Sequence, residues 1–300
     1  MESQLGRERL FSFEFFPPKT PEGVEKLRAT RKQLAQLNPA FFSVTYGAGG
    51  ATREGTLDTT KAIRDQYGSE AMAHLSCVGE TTESLHEIID RIADAGIENI
   101  LALRGDPPRG EKDFEQPEGG LGSASELAAL ISETHPEIAI GGACFPEVHP
   151  EAASLEADLA YLKTKVEAGA SFLITQLFFD NSLYFDFVPA ARAAGIDVPI
   201  IPGIMPMTGF KQIGRISELC EATIPAPLAS AMEDLDGDER AEFELGVAYA
   251  TQQCADLLRR GAPGLHLYAL NRWPAARAIL GALHASRPWE DREPAAAGAT

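Results

Sequence analysis

Short runs of aromatic and β-branched residues recur along this chain, separated by longer stretches in which apolar positions return every three or four residues. The first pattern belongs to buried strands and the second to helices that lay one apolar face on a core. Strands are expected at about 11–16, 41–46, 71–77, 99–104, 138–145, 172–178, 199–204 and 265–270. Helices are expected at about 21–37, 53–67, 83–95, 150–168, 182–194, 210–221, 238–260 and 274–284. Thr20 followed by Pro21 reads as an N-cap with proline at the first helical position. Ser123 and Glu126 form a capping box that opens one more helix.

On length alone, 300 residues allow one large domain or two small ones. Eight strands, each followed by a helix, imply right-handed crossovers and a parallel sheet, and eight such units fit a closed (β/α)8 TIM barrel, a single domain over 11–285. Residues 1–10 read as a flexible N-terminus and the Pro/Ala/Gly-rich residues 286–300 as a disordered tail. A doubly wound open sheet is the runner-up, but its dinucleotide version needs G-x-G-x-x-G after the first strand. Phe16-Pro17-Pro18 cannot supply that turn.

Composition narrows the function. The hydrophobic content of 44% suits a globular chain with a sizeable core. A formal charge of −18 repels phosphate backbones and anionic lipids, which disfavours nucleic-acid and membrane partners. Cys77, Cys144, Cys220 and Cys254 are widely spaced with no C-x-x-C pair, so they read as reduced thiols in a cytoplasmic protein. No apolar run approaches the ~18 residues that span a bilayer, and no targeting pattern opens the chain.

Candidate chemistry begins in the run Phe11-Ser12-Phe13-Glu14-Phe15-Phe16. Along a strand Phe11, Phe13 and Phe15 face one way and Ser12, Glu14 and Phe16 the other. A carboxyl that shares its face with a ring and a hydroxyl is poorly solvated and holds its proton firmly, as a general acid must. Taken alone, this run favours the plainer reading of a solvent-facing Glu14. The other strand ends reverse that balance, because in a barrel the site is built there. They carry Thr45-Tyr46-Gly47-Ala48, His74, Arg104-Gly105-Asp106, Phe145-Pro146-Glu147-Val148-His149, Gln176, Tyr268 and Asn271-Arg272, with Gln212 in the loop after the seventh strand. The long Pro/Gly-rich segment 107–122 belongs beside such a site. Each residue also has an ordinary reading: Asp106 as a turn cap, Gln176 as a backbone partner, Arg272 in an ion pair, His74 in the core. Glu147, His149 and Glu151 alternate, but Pro146 and Pro150 shape them as a turn rather than a metal site. Gly47-Ala48-Gly49-Gly50 lacks the Gly-Lys-Ser/Thr ending of a P-loop.

In order along the chain, Phe13-Glu14-Phe15-Phe16-Pro17-Pro18, Ser43-Val44-Thr45-Tyr46-Gly47-Ala48, His74-Leu75-Ser76-Cys77, Ala102-Leu103-Arg104-Gly105-Asp106, Pro146-Glu147-Val148-His149-Pro150-Glu151, Ala168-Gly169-Ala170, Ile174-Thr175-Gln176, Ile201-Pro202-Gly203-Ile204 and Leu270-Asn271-Arg272 resemble the bacterial-type methylenetetrahydrofolate reductases. That resemblance implies a flavin-dependent TIM barrel of one-carbon metabolism and methionine supply. Such enzymes pass hydride from NADH or NADPH to FAD and then to 5,10-methylenetetrahydrofolate. By the resemblance, Glu14 is the general acid that helps open the folate ring, and Asp106 stands beside flavin and pterin. Gln176, Gln212, Tyr268 and Arg272 contact folate. The FAD positions are Thr45, Tyr46, Ala48, His74, Arg104, Gly105, Asp106, Ala124, Phe145, His149, Ala152, Asp158 and Lys165, with Arg104 and Lys165 toward the pyrophosphate. The family also implies a homo-oligomer.

Some positions depart from the family pattern. Ser123 stands where an aromatic is common, Phe145 replaces a tyrosine, and Tyr161 and Thr164 replace an amide and an arginine, which predicts weaker FAD retention. Ile216 lies where some members carry a phenylalanine, leaving NADH against NADPH open. A flavin-independent reductase of the same substrate and a non-catalytic folate-binding or sensing protein are the alternatives.

Overall fold

A computed structural model describes residues 9–46, 53–105 and 116–290, apart from the side chains of Arg53 and Tyr67. Strand alternation divides the first strand, β1 (Leu10–Phe15), between two layers. Phe11, Phe13 and Phe15 pack outward in one core cluster with Leu27 and Leu34 of helix α1 (Pro21–Ala35) and with Phe42 and Val44 of β2 (Phe41–Val44). Phe13 and Phe15 stack on Phe42 at 5.8 and 5.4 Å between ring centroids. Burying such a ring contributes roughly 1.5–3 kcal/mol. Residues of the other face turn toward the barrel axis, where Leu10, Phe41, Met72, Leu101, Phe172, Ile174 and Ile201 form a separate apolar plug.

The chain continues through α2 (Arg53–Tyr67), β3 (Ala71–Ser76), α3 (Thr82–Asp94), β4 (Asn99–Leu103), α4 (Ala124–Thr134), β5 (Ala139–Cys144), α5 (Leu155–Glu167), β6 (Ala170–Thr175) and α6 (Asn181–Ala193). Two short strand pieces follow, β7 (Ile200–Ile201) and β8 (Gly203–Ile204), then α7 (Phe210–Leu219), α8 (Ala226–Glu233), α9 (Glu239–Arg259), β9 (Gly264–Tyr268) and α10 (Pro274–Ser286). The sheet order is β7-β6-β5-β4-β3-β2-β1-β9-β8, and every pairing is parallel. β7 and β8 are two halves of the seventh strand, so the ring closes across Pro202: β7 pairs with β6 and β8 with β9. Proline has no N–H for the ladder, and its carbonyl accepts from His266 N at 2.9 Å. The single-domain (β/α)8 barrel expected from the pattern is the observed fold.

Helices start at the rim where strands end, and polar caps hold those starts. Thr20 Oγ1 accepts from Gly23 N at 3.1 Å, Thr81 Oγ1 from Ser84 N at 3.2 Å and Ser154 Oγ from Ala157 N at 3.2 Å. At the capping box, Ser123 Oγ accepts from Glu126 N at 3.2 Å and Glu126 Oε2 from Gly122 N at 2.6 Å.

Several elements differ from expectation. α5 starts at Leu155 rather than at residue 150, because 149–154 form a turn in which Glu151 N donates to His149 Nδ1 and Ala152 N to His149 O. β6 starts two residues early, at Ala170. α8 was not expected, being a short helix with Leu228 and Met232 as its buried residues. At the other end, residues 287–290 follow α10, and the Trp289 ring lies 5.9 Å from Phe11. The glycine-rich stretch 47–50, and with it Ala48, lies outside the described residues, as does Asp106.

Candidate active site

Glu14 points into the barrel from β1, with its side chain 12% exposed. Its Oε2 lies 3.4 Å from His266 Nε2 and 3.5 Å from His74 Nε2. The phenylalanines that flank it in sequence occupy the opposite face, and Phe16 lies past the strand end, 44% exposed. The aromatic setting expected for Glu14 is therefore corrected: two imidazoles stand against the carboxyl, while Phe16, the ring expected on its face, falls beyond the end of β1 and turns to solvent. His74 is fully enclosed, and burial pushes its pKa down to about 4, against the pull of Glu14 and with the push of His266. It is neutral at physiological pH. His266, which the sequence reading passed over, is fully buried on β9. Its Nδ1 lies 2.7 Å from Ser12 Oγ and its ring stacks on Phe41 at 5.9 Å.

A cavity of about 600 Å³ opens along β4, β5 and the starts of α4 and α5. Arg104, Gly105, Ala124, Phe145, His149, Ala152, Asp158 and Lys165 all contribute to its wall, and Gln176 reaches it from the end of β6. Small-molecule and cofactor sites run from ~300 to ~1,000 Å³, and a helix N-terminus favours an anionic group. The cations are deliberately built. Lys165 is 5% exposed, yet its Nζ donates to the Ala143 carbonyl at 2.6 Å and, among the described residues, forms no ion pair. Burial lowers its pKa, with Asp158 among the groups that oppose the shift. An ammonium has three donors, so the site has capacity left for an anion. A Cβ at Gly142 would come within 2.7 Å of Lys165 Cδ, so glycine there lets the lysine stem pass.

Arg104 meets Glu151 in a two-pronged pair at 2.5 and 2.7 Å, which holds the Glu151 carboxyl below the usual range. Asp158 Oδ2 accepts from His149 N at 2.9 Å, and the His149 ring meets Phe145 edge-on at 4.6 Å. Burial lowers the pKa of His149. Val148 has a φ of +68°, a strained value for a β-branched residue, between Glu147, which accepts from Thr223 N at 3.0 Å, and His149 on the cavity wall.

Gln212, Tyr268 and Arg272 line a second cavity of about 990 Å³ together with Lys26 and Lys211. Gln212 rides on α7, whose first amide, Phe210 N, donates to Glu242 Oε2 of α9 at 2.9 Å. The Gly209 cap lacks a side chain, and Glu242 replaces it. Tyr268 donates its hydroxyl to Thr175 O at 2.7 Å, next to Gln176, and so bridges the walls of the two cavities. Asn271 clamps the exits of β1 and β9: its Oδ1 accepts from Phe16 N and its Nδ2 donates to Phe16 O, both at 2.9 Å.

Thr45 and Tyr46 follow β2. Thr45 O accepts from Thr56 Oγ1 at 2.8 Å, and Tyr46 donates to the buried Glu80 at 3.4 Å. The four cysteines are free, and burial raises Cys77 to about 11 and Cys144 to about 12, so these two behave as apolar fillers. Among the described residues no group of three or more His, Cys, Asp or Glu side chains is placed to hold a metal. None of the described helices is long and apolar enough to cross a membrane.

Residues 2–284 match the family model for methylenetetrahydrofolate reductase. An Arabidopsis thaliana protein named Methylenetetrahydrofolate reductase (NADH) 1 is 40% identical over 280 residues, covering 90% of this chain and 47% of the relative. The Escherichia coli 5,10-methylenetetrahydrofolate reductase is 41% identical over 268 residues, covering 89% of this chain and 88% of that protein. Among solved structures, a Clostridium thermocellum protein described as binding two copies of 5-methyl-5,6,7,8-tetrahydrofolic acid has a TM-score of 0.64 at 15% identity, covering 96% of this chain and 99% of that one, a likeness of fold. The chain spans about half the length of the plant relatives, 47%, and most of the bacterial one, 88%. The barrel fold and the family match over residues 2–284 agree: the chain belongs to the methylenetetrahydrofolate reductase family.

Proposed function

We propose that this chain reduces 5,10-methylenetetrahydrofolate to 5-methyltetrahydrofolate with electrons from NADH or NADPH, through bound FAD. The observation that carries the reading is a carboxyl, Glu14, held between two imidazoles inside a barrel whose strand ends also wall a cavity with a buried cation. Lys165 and Arg104 are the groups to neutralise the FAD pyrophosphate, while Gly105, Ala124 and Ala152 leave room for flat rings against the wall. A bound flavin supplies the two-electron chemistry that side chains lack.

The remaining work belongs to the protein. Glu14 gives a proton to the bridging nitrogen of the folate's five-membered ring, breaking its bond to the methylene carbon and leaving a reactive iminium. Neutral His74 adds no positive charge that would lock the carboxyl in its ionised form. Gln176, able to donate and accept, orients the substrate from the wall of the first cavity, and Gln212, Tyr268 and Arg272 in the second receive the rest of the folate. Asp106, outside the described residues, keeps its assigned place beside flavin and pterin by sequence alone. The same reading places the protein in the cytoplasm.

The test is the visible spectrum of purified protein with and without added FAD. A yellow protein that bleaches with NADH or NADPH and recovers its colour with methylenetetrahydrofolate is the expected result. A protein that stays colourless and inactive with FAD overturns the reading, and turnover without flavin assigns the direct nicotinamide route instead.

A further inference from the structure

The first amides of a helix have no partner inside it and must find one elsewhere. In α1, α3, α4, α5, α6 and α9 the N-cap side chain accepts from the first turn, and α8 and α10 carry proline there. α7 has neither, because Gly209 stands at its N-cap. Geometry does not impose glycine at that position. Its φ of −176° is extended backbone that any residue adopts, and an added Cβ would meet nothing within 4 Å. The cap comes instead from α9, where Glu242, on the first turn and 8% exposed, accepts from Phe210 N through Oε2 at 2.9 Å. One turn further along the same face of α9 is Gly246, where an added Cβ would run into the Met207 carbonyl. The missing side chain lets α9 lie against the segment that leads into α7, and this close approach brings the Glu242 carboxyl to Phe210. The far end of α7 is fixed separately, since Glu147 accepts from Thr223 N at 3.0 and 3.1 Å. Glu242 thus governs the first turn, and Gln212 is its third residue.

We propose that Glu242 is a positioning residue for folate binding: by capping α7 from α9 it keeps the first turn wound and Gln212 on the wall of the second cavity. This rests on the reading of Gln212 as a folate contact. Without the cap the first turn frays, and a ligand that needs Gln212 in place binds only the wound fraction of molecules. The loss therefore falls on affinity and not on the chemical step. Glu242 has a second conceivable role, because it lines the same cavity as Lys26, Lys211, Arg240 and Arg272. Acting there as a bare charge, it would weaken the binding of an anionic ligand. The two roles predict opposite signs: removal of the carboxyl weakens folate binding if Glu242 is a cap and strengthens it if Glu242 is only a charge.

The experiment measures KM for methylenetetrahydrofolate and the maximal rate of its reduction at low and high salt, with amide hydrogen exchange across residues 209–214, in the full chain with FAD. Glu242→Ala is expected to raise KM about 3- to 30-fold at both salt concentrations, to leave the maximal rate within about twofold, and to speed exchange in the first turn of α7. Glu242→Gln keeps a carbonyl oxygen for Phe210 N and is expected to hold KM within about threefold of the parent. Gly209→Ser in the Glu242→Ala background supplies a local cap, and it is expected to recover slow exchange and most of the KM. A KM that falls in both Glu242 substitutions, and only at low salt, overturns the proposal and makes Glu242 a charge that opposes anionic ligands. An unchanged KM in Glu242→Ala, with or without faster exchange, overturns it as well. If the unsubstituted protein reduces flavin but never folate, it is the functional reading that fails, and exchange in Glu242→Ala still decides whether the carboxyl holds α7.

Discussion

His74 has no room for a charge. Burial holds its pKa near 4 in the fold, whereas an exposed histidine titrates near 6.5. As pH falls below 6.5 the unfolded chain takes up a proton that the folded chain refuses, so the stability is whole above that value and drains away toward pH 4, by up to about 3 kcal/mol. Denaturant melts through this window are expected to show the loss, and His74→Gln is expected to flatten it; the same slope in both proteins would assign the acid sensitivity elsewhere. Much at this scale was legible. Alternation along one strand was enough to separate Glu14 from Phe13 and Phe15, and the strand ends gave Arg104, Gly105, Phe145, His149 and Gln176, which meet on one cavity wall. His266 was not legible, because its partners are Ser12 and Glu14, 254 and 252 positions away, and only the β1–β9 register brings them together. The Arg104–Glu151 pair was hidden for the same reason, since a turn shaped by Val148 carries Glu151 back to β4.

Among the elements, the clamp by Asn271 and the contact at Gly246 decide the most. Leu270 and Asn271 both take left-handed backbone, with φ of 48° and 56°, a conformation a leucine adopts only when its surroundings compel it. The two bonds from the Asn271 amide to Phe16 provide that compulsion at the exits of the strands bearing Glu14 and Tyr268. Asn271→Ala is expected to cost about 1–3 kcal/mol in unfolding free energy and to raise the KM for folate, since Arg272 follows directly. A stability within error of the parent would show that the clamp is incidental. Glycine inside a helix is ordinarily a weakness, and replacing it by alanine gains about 1 kcal/mol. Gly246 in α9 is different, because an added Cβ would run into the Met207 carbonyl. Gly246→Ala is therefore expected to destabilise the protein, which thermal melting reads directly. Capping chemistry made most helix starts legible, Thr20 and Ser123 among them. It misplaced the start of α5, expected at Pro150, because the His149 turn holds the chain out of the helix until the Ser154 cap. α8 escaped because its few buried positions, such as Leu228 and Met232, give too short a run for periodicity.

Across the whole molecule, the charge of −18 contrasts with the cations that gather at the two cavities, Arg104 and Lys165 at one and Lys26, Lys211 and Arg272 at the other. An acidic exterior repels polyanions at large, whereas the second cavity, with Lys26, Lys211, Arg240 and Arg272 against Glu239 and Glu242, keeps a net positive lining. The barrel was legible from eight repeated strand–helix units, but its closure through β7 and β8 depends on Pro202, whose missing N–H shows its effect only once β6 and β9 flank it. One barrel thus brings together a carboxyl with its own imidazole support and a cavity with a buried ammonium. The most direct measurement of that union is rapid mixing of Glu14→Gln with each substrate in turn. Flavin bleaching by NADH or NADPH is expected to keep its rate, and reoxidation by methylenetetrahydrofolate to slow about 10²- to 10⁴-fold, because the amide has no proton to give. Equal slowing of the two steps, or no slowing of the second, would contradict the account.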